Sequence, residues 1–299
     1  MALLIITTIL WAFSFSLIGE YLAGSVDSYF SVLMRVGLAA LVFLPFLRTR
    51  GHSPRTIVLY MLVGAMQLGI MYLLAFRAYL YLTVSEFLLF TVFTPLYITL
   101  IYDLLSGRKL RWGYLLSAAL AVLGAAIIRY DKVSDHFWTG LLLVQLSNLC
   151  FAIGMVGYKR LMEVRPMPQH NAFAWFYVGA FIVAVAAWFM LGNPQKLPTT
   201  TLQWSVLVWL GVVASGLGYF MWNYGATQVD AGTLGIMNNV HVPAGLLVNL
   251  AIWQEQPHWP SFISGALVIL ASLWVHRRWV APHSGQTADD RRRGSAQSE

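Results

Sequence analysis

VSEFLLFTVFTPLYITLIYD, residues Val84–Asp103, and GTLGIMNNVHVPAGLLVNLAIW, residues Gly232–Trp253, are the two stretches that decide the fold. Each is a run of about 20 mostly apolar residues, the length that crosses a ~30 Å hydrocarbon layer as a helix. Each carries a proline near its middle, Pro95 and Pro243, where a soluble helix rarely tolerates one. The prolines stand 148 residues apart, and Ala78/Ala226 and Val92/Val240 keep the same offset. A doubled element whose backbone is interrupted at membrane depth is where a transporter built from two halves holds its cargo. Pro95 and Pro243 are therefore the expected hinges.

The rest of the chain reads as the frame around that pair. Hydrophobic residues make up 59% and charged residues 10% of the 299 positions, and the mean hydropathy is +0.67. A soluble domain has about 25% charged residues, so the polar surface here is too small to face water all round. An all-α integral membrane protein is expected, embedded in the lipid bilayer. The net charge of +7 could suggest a nucleic-acid partner, but the basic residues lie in short clusters between apolar spans, as topology signals do, and no nucleic acid is expected. The single cysteine, Cys150, cannot form an intrachain disulfide, and no CxxC pair exists. The N-terminal segment lacks a positive region before its apolar run and reads as a retained first helix.

Hydropathy divides the chain into ten spans, approximately Leu3–Leu22, Tyr29–Leu47, Thr56–Ala75, Val84–Asp103, Arg111–Ile128, Phe137–Tyr158, Ala172–Leu191, Leu202–Tyr224, Gly232–Trp253 and Trp259–Val275. The loops between them are short. Fourteen Lys and Arg residues fall on the side of the N-terminus and four on the other, with Arg35 left inside the second span. That bias puts both termini in the cytoplasm. The fifth and tenth spans also align, with Trp112/Trp259 and Ser117/Ser264 at an offset of 147. Five is odd, so a second copy enters the membrane from the opposite face. The expected architecture is ten transmembrane helices as two inverted five-helix repeats, residues 1–132 and 133–278, followed by a disordered cytoplasmic tail, 279–299.

With Leu10-Trp11 in the first span, Ala78 to Pro95 with Ser85, Ala226 to Pro243, and Gly113 before a small-residue helix, the chain resembles the EamA-domain family of the drug/metabolite transporter superfamily. The resemblance covers about residues 3 to 277. It departs where the family has Gly-Glu-Arg after the fourth helix, because this chain has Gly107-Arg108-Lys109, and the second half retains only Glu255. It implies a secondary transporter of small metabolites in the inner (plasma) membrane of a bacterium, with a small-molecule substrate and no cofactor. A monomer or a homodimer fits equally. An exporter of amino acids or related amphiphiles, and a membrane sensor or interaction protein without a transport cycle, are the alternatives. Enzymatic readings find no footing: there is no phosphate-binding Gly-rich loop, no HExxH, no GxSxG, and the histidines are not at metal-ligand spacing.

Polar groups inside the spans locate the expected site, because leaving them unpaired in hydrocarbon is costly. Asn238, Asn239 and His241 lie just before Pro243. Gln145 and Asn148 share one face of the sixth span, and Gln67 and Tyr72 lie on the third. Trp11, with Ser14 and Ser16, lies on the first. Amides and an imidazole at one depth suit a ligand bearing both donors and acceptors, and equally well bridge neighbouring helices. Arg35 needs an anion, either Glu20 or a substrate carboxylate. Arg77 and Glu86 are expected to pair with each other or with water, and Trp222 and Tyr224 to sit in an interfacial belt. Glu20 and His241 are the candidates for proton coupling.

Overall fold

A computed structural model describes residues 2–105, 135–229, 231–254 and 259–279, with isolated positions between 116 and 127. Among these residues every regular element is helical. The helices are α1 (Ala2–Tyr21), α2 (Ser28–Phe43, continued by a 3₁₀ turn, Leu44–Phe46), α3 (Pro54–Ala78), α4 (Val84–Thr91), α5 (Thr94–Leu105) and α6 (Asp135–Val164). They continue with α7 (Gln169–Leu191), α8 (Thr201–Thr227), α9 (Ala231–Val248) and α10 (Trp259–Trp279). Seven helical runs, with α4 and α5 counted as one, are long and apolar enough to cross a membrane. The protein is a multi-pass membrane protein. Most of the expected fifth span, Arg111–Ile128, lies outside the described residues, as do Arg108, Lys109, Glu255 and the tail from 280.

Local chemistry sets the helix starts. Asp27 accepts the Phe30 N–H at 2.8 Å and opens α2, while Ser53 caps α3 with Pro54 at the first helical position. Thr83 and Glu86 form a reciprocal capping box at α4, and Thr200 and Gln203 form another at α8. This corrects the expected Arg77–Glu86 pair. Glu86 is committed to its own helix end, accepting the Thr83 N–H at 2.9 Å, and the Arg77 guanidinium lies 5.9 Å from the Tyr29 ring centre.

The helix interruption at Pro95 is real. Val92 and Phe93 are non-helical between α4 and α5. A proline at 95 cannot donate to the carbonyl of Thr91. That carbonyl instead accepts the Thr94 hydroxyl at 2.7 Å. The expected twin at Pro243 does not exist, because α9 runs unbroken from Ala231 to Val248 and a π-helical segment, Asn249–Trp253, follows it. A helix in lipid can absorb a proline when neighbours satisfy the freed carbonyl. Two further π-helical segments, Ala65–Ile70 in α3 and Leu210–Leu217 in α8, interrupt helices with no proline in their interiors.

Helices from the first part of the chain pack mainly on helices from the second. Helix α2 lies against α7 and the π segment of α8, α3 against α7 and α6, and α1 against α9 and the end of α8. The α3–α7 contact is backbone on backbone. A Cβ on Gly64 would stand 1.9 Å from the Phe176 carbonyl oxygen, and one on Gly179 would stand 1.9 Å from that of Met61. Small residues are how membrane helices approach this closely. The packing also corrects the belt reading of Trp222, which is fully buried with its ring 5.0 Å from Trp11; Tyr224, two residues on, is exposed.

Because neither backbone can yield, Gly179→Ala or Gly64→Ala should destabilise the protein by about 1–3 kcal/mol, the usual range for overpacking. The measurement is the apparent melting temperature in detergent. A variant melting with the parent would show that α3 and α7 do not meet through these glycines.

Candidate functional site

Between α1, α2, α3, α4, α5, α6, α8 and α9 lies a cavity of about 90 Å³, room for several water molecules. Its walls are mainly apolar and aromatic: Phe15, Phe76, Phe87, Phe151 and Tyr219 among others. Of the sequence-derived residues, Trp11, Arg35, Tyr72, Asn148 and Asn238 line it, together with Ser14 and Ser147.

Arg35 is 2% exposed. Its Nε donates to Ser215 Oγ at 3.1 Å and its Nη2 to Tyr72 Oη at 2.8 Å. The guanidinium carbon is 4.2 Å from the Tyr72 ring centre and 5.5 Å from that of Phe76. The expected Arg35–Glu20 pair is absent. Helix α2 packs on the π segment of α8, which brings Ser215 to Arg35, while Glu20 is exposed near the end of α1. No acid pairs with Arg35 among the described residues. A buried, uncompensated charge in a membrane helix costs on the order of 2.5–3.5 kcal/mol even by the mildest scales. Hydroxyl contacts and aromatic faces offset only part of that.

The π segment explains why so many groups converge here. An inserted residue shifts the helical hydrogen-bond register and frees carbonyls. Trp11 Nε1 donates to Ala214 O at 3.0 Å. Tyr177 Oη donates to Ser215 O at 2.6 Å and Gly216 O at 2.9 Å. Tyr72 Oη and Ser215 Oγ are 2.9 Å apart. Ser215, Tyr177 and Tyr219 escaped the sequence reading because a hydroxyl in a small-residue or aromatic run looks like packing. The one hint is the setting of Ser215 among Gly211, Gly216 and Gly218, which permits close approach of α2.

Amides mark the other end. Asn238 is 1% exposed, lines the cavity, and its Nδ2 has no hydrogen-bond partner among the described residues. Asn148 Nδ2 donates to Phe90 O at 2.9 Å, and Gln145 Nε2 reaches the same carbonyl at 3.3 Å. That carbonyl lies just ahead of the α4–α5 break, so α6 supplies the donors that the interrupted helix lacks. Tyr97 Oη donates to Gln145 Oε1 at 3.1 Å. Gln145 is thereby used in holding the break and is not among the lining side chains. Gln67 also departs from expectation: fully buried, it exchanges amide hydrogen bonds with Asn223 at 3.0 and 3.3 Å, and it ties α3 to α8 instead of facing the cavity. The side chains of Asn239, His241 and Pro243 lie outside the described residues.

Arg35 and Asn238 enter from opposite faces of the bundle. The ends of α1 and of the segment after α9 meet, with the Tyr21 and Trp253 rings 6.3 Å apart. Helix α2 therefore starts on that face and α9 on the other. Each residue is seven positions from its helix start, about 10 Å at 1.5 Å per residue, which leaves about 10 Å between their depths in a ~30 Å layer. A cation, an aromatic wall and an amide in that order suit an amphiphile with a carboxylate at one end and an amide-like group at the other.

The comparisons with known proteins agree with a transport role. The model of the EamA-like transporter family matches residues 1–130 and 138–277. The chain is 83% identical over 299 residues, all of both chains, to the biotin transporter of Escherichia coli strain K12 and, to the same extent, to that of Salmonella typhimurium. It is 56% identical over 279 residues to the probable biotin transporter of Pseudomonas aeruginosa, covering 93% of this chain and 97% of that one. A solved crystal structure superposes with a TM-score of 0.64 at 17% identity, covering 92% of this chain and 95% of its own, which speaks to the fold alone. On the match of both stretches and the full-length identity to its relatives, the chain belongs to the EamA-like transporter family.

Proposed function

We propose that this protein is a secondary transporter that carries biotin inward across the inner membrane of a bacterium. The full-length, 83% identity to proteins named biotin transporter supports the substrate. The observation that carries the mechanism is the pairing, in one cavity, of an Arg35 with no acid partner and an Asn238 Nδ2 with no hydrogen-bond partner among the described residues. Biotin carries a carboxylate on a short alkyl chain and a ureido ring with donors and acceptors. The carboxylate meets Arg35 and Tyr72, the rings of Trp11 and Tyr219 cover the apolar middle, and the ureido group meets Asn238 and Asn148. Asn239 and His241, one and three positions from Asn238 in the sequence, are proposed as further substrate contacts.

The cycle is alternating access by ten helices arranged as two inverted five-helix repeats, 1–132 and 133–278, with both termini cytoplasmic and the break beside Pro95 as the yielding point. Coupling to protons runs through His241 or Glu20. It is abandoned if His241→Gln keeps both uptake and its pH dependence. The amino-acid exporter is the weaker reading. A zwitterion brings an ammonium group that needs an anion, and no carboxylate lines the cavity among the described residues.

Labelled flux in proteoliposomes is the test. Inward biotin counterflow is expected; outward amino-acid movement, or binding without turnover, would overturn the proposal. Removing a charge-assisted hydrogen bond costs about 1.5–3 kcal/mol, so Arg35→Gln should lower the rate per unit biotin about 10- to 100-fold. It should also abolish the preference for biotin over its neutral primary amide. Equal loss for both compounds would place Arg35 in folding and not in carboxylate recognition. Asn238→Ala removes a neutral hydrogen bond of about 0.5–1.5 kcal/mol, hence a smaller loss, about 2- to 10-fold, that affects biotin and its amide alike.

A further inference from the structure

The cationic end of the cavity has more donors than the protein uses. A guanidinium carries five N–H groups. Arg35 places one on Ser215 and one on Tyr72. The two hydroxyls, 2.9 Å apart, both accept from Arg35 and share one proton between them. The carbonyls of Ser215 and Gly216 behind them already accept from Tyr177. The aromatic face of Tyr72 covers one side of the guanidinium. No acidic side chain lines the space in front of it among the described residues. Three guanidinium N–H groups remain there on one full positive charge that no acid faces among the described residues, and the surroundings are poorly solvated.

We infer that, when no carboxylate substrate is bound, this cluster of Arg35 and Tyr72, braced by Ser215, holds a small inorganic monoanion, for which chloride is the probe. The inference rests on reading Arg35 as the carboxylate pole. The anion takes the place of one carboxylate group, neutralises the guanidinium while the carrier is otherwise empty, and leaves as the substrate carboxylate arrives. Isethionate, a larger monoanion whose charge is spread over a sulfonate, is the comparison anion. Inorganic anion and substrate are therefore competitors, although the anion never reaches the amide end at Asn238.

The experiment compares chloride with isethionate at constant ionic strength on the whole protein. In proteoliposomes, chloride should raise the half-saturation concentration for biotin counterflow without changing the maximal rate, about twofold when it equals its own dissociation constant. In detergent without biotin, chloride should raise the melting temperature, and biotin should remove that increment. Tyr72→Phe, which keeps the charge and loses one donor, should blunt both responses; Arg35→Gln should abolish them. A half-saturation concentration indifferent to chloride, with counterflow intact, overturns the anion site and leaves biotin transport standing. An unchanged chloride response in both variants likewise overturns it. Chloride stabilisation that depends on Arg35, in a protein that moves no biotin, upholds the anion site while the transport reading fails.

Discussion

One buried positive charge governs the chemistry of this molecule. Arg35 sits within a membrane helix, 2% exposed, and is held by two hydroxyls and two aromatic rings where an acid would be expected. An internal carboxylate would neutralise it and close the site. Leaving it uncompensated costs stability, and the binding of an anion recovers that cost. On the proposed reading, the charge that makes the empty carrier less stable is also the one that would recognise a carboxylate.

The same logic applies to the backbone. In a lipid environment a free carbonyl has no water to turn to, so every irregularity must be answered by protein. At the α4–α5 break the answer comes from the Thr94 hydroxyl and from the Asn148 and Gln145 amides of α6. At the π segment of α8 it comes from Trp11 and Tyr177. Both irregularities abut the cavity, and their partners are residues that line it or stand directly behind it. Asn148 both lines the cavity and holds the Phe90 carbonyl, so a ligand that engages its amide also touches the anchor of the interrupted helix.

Polar residues of one type have different fates according to their neighbours. Gln67 finds Asn223 across a close α3–α8 contact and is spent on helix pairing. Gln145 is spent on a broken backbone. Asn238, the same kind of group, has an Nδ2 with no partner among the described residues and lines the cavity. Two amides that satisfy each other make a strut; an amide left unsatisfied beside a void is available to a ligand.

Much of this was legible in the residues. The low charge content, the span-length apolar runs and the polar positions inside them follow from the free energy of placing side chains and backbone in hydrocarbon, which depends on composition and local order. The structure accordingly keeps most span limits within a few residues, and the break beside Pro95 lies where the ring removes a donor. What local order could not supply was pairing. That Arg35 meets Ser215, 180 positions away, and not Glu20 depends on α2 lying against the π segment of α8. That Pro95 interrupts its helix while Pro243 does not was likewise not readable from the two similar stretches themselves. Sequence fixes which groups need partners in a membrane; only packing, which juxtaposes helices far apart in the chain, decides which of them are satisfied internally and which are left for a substrate.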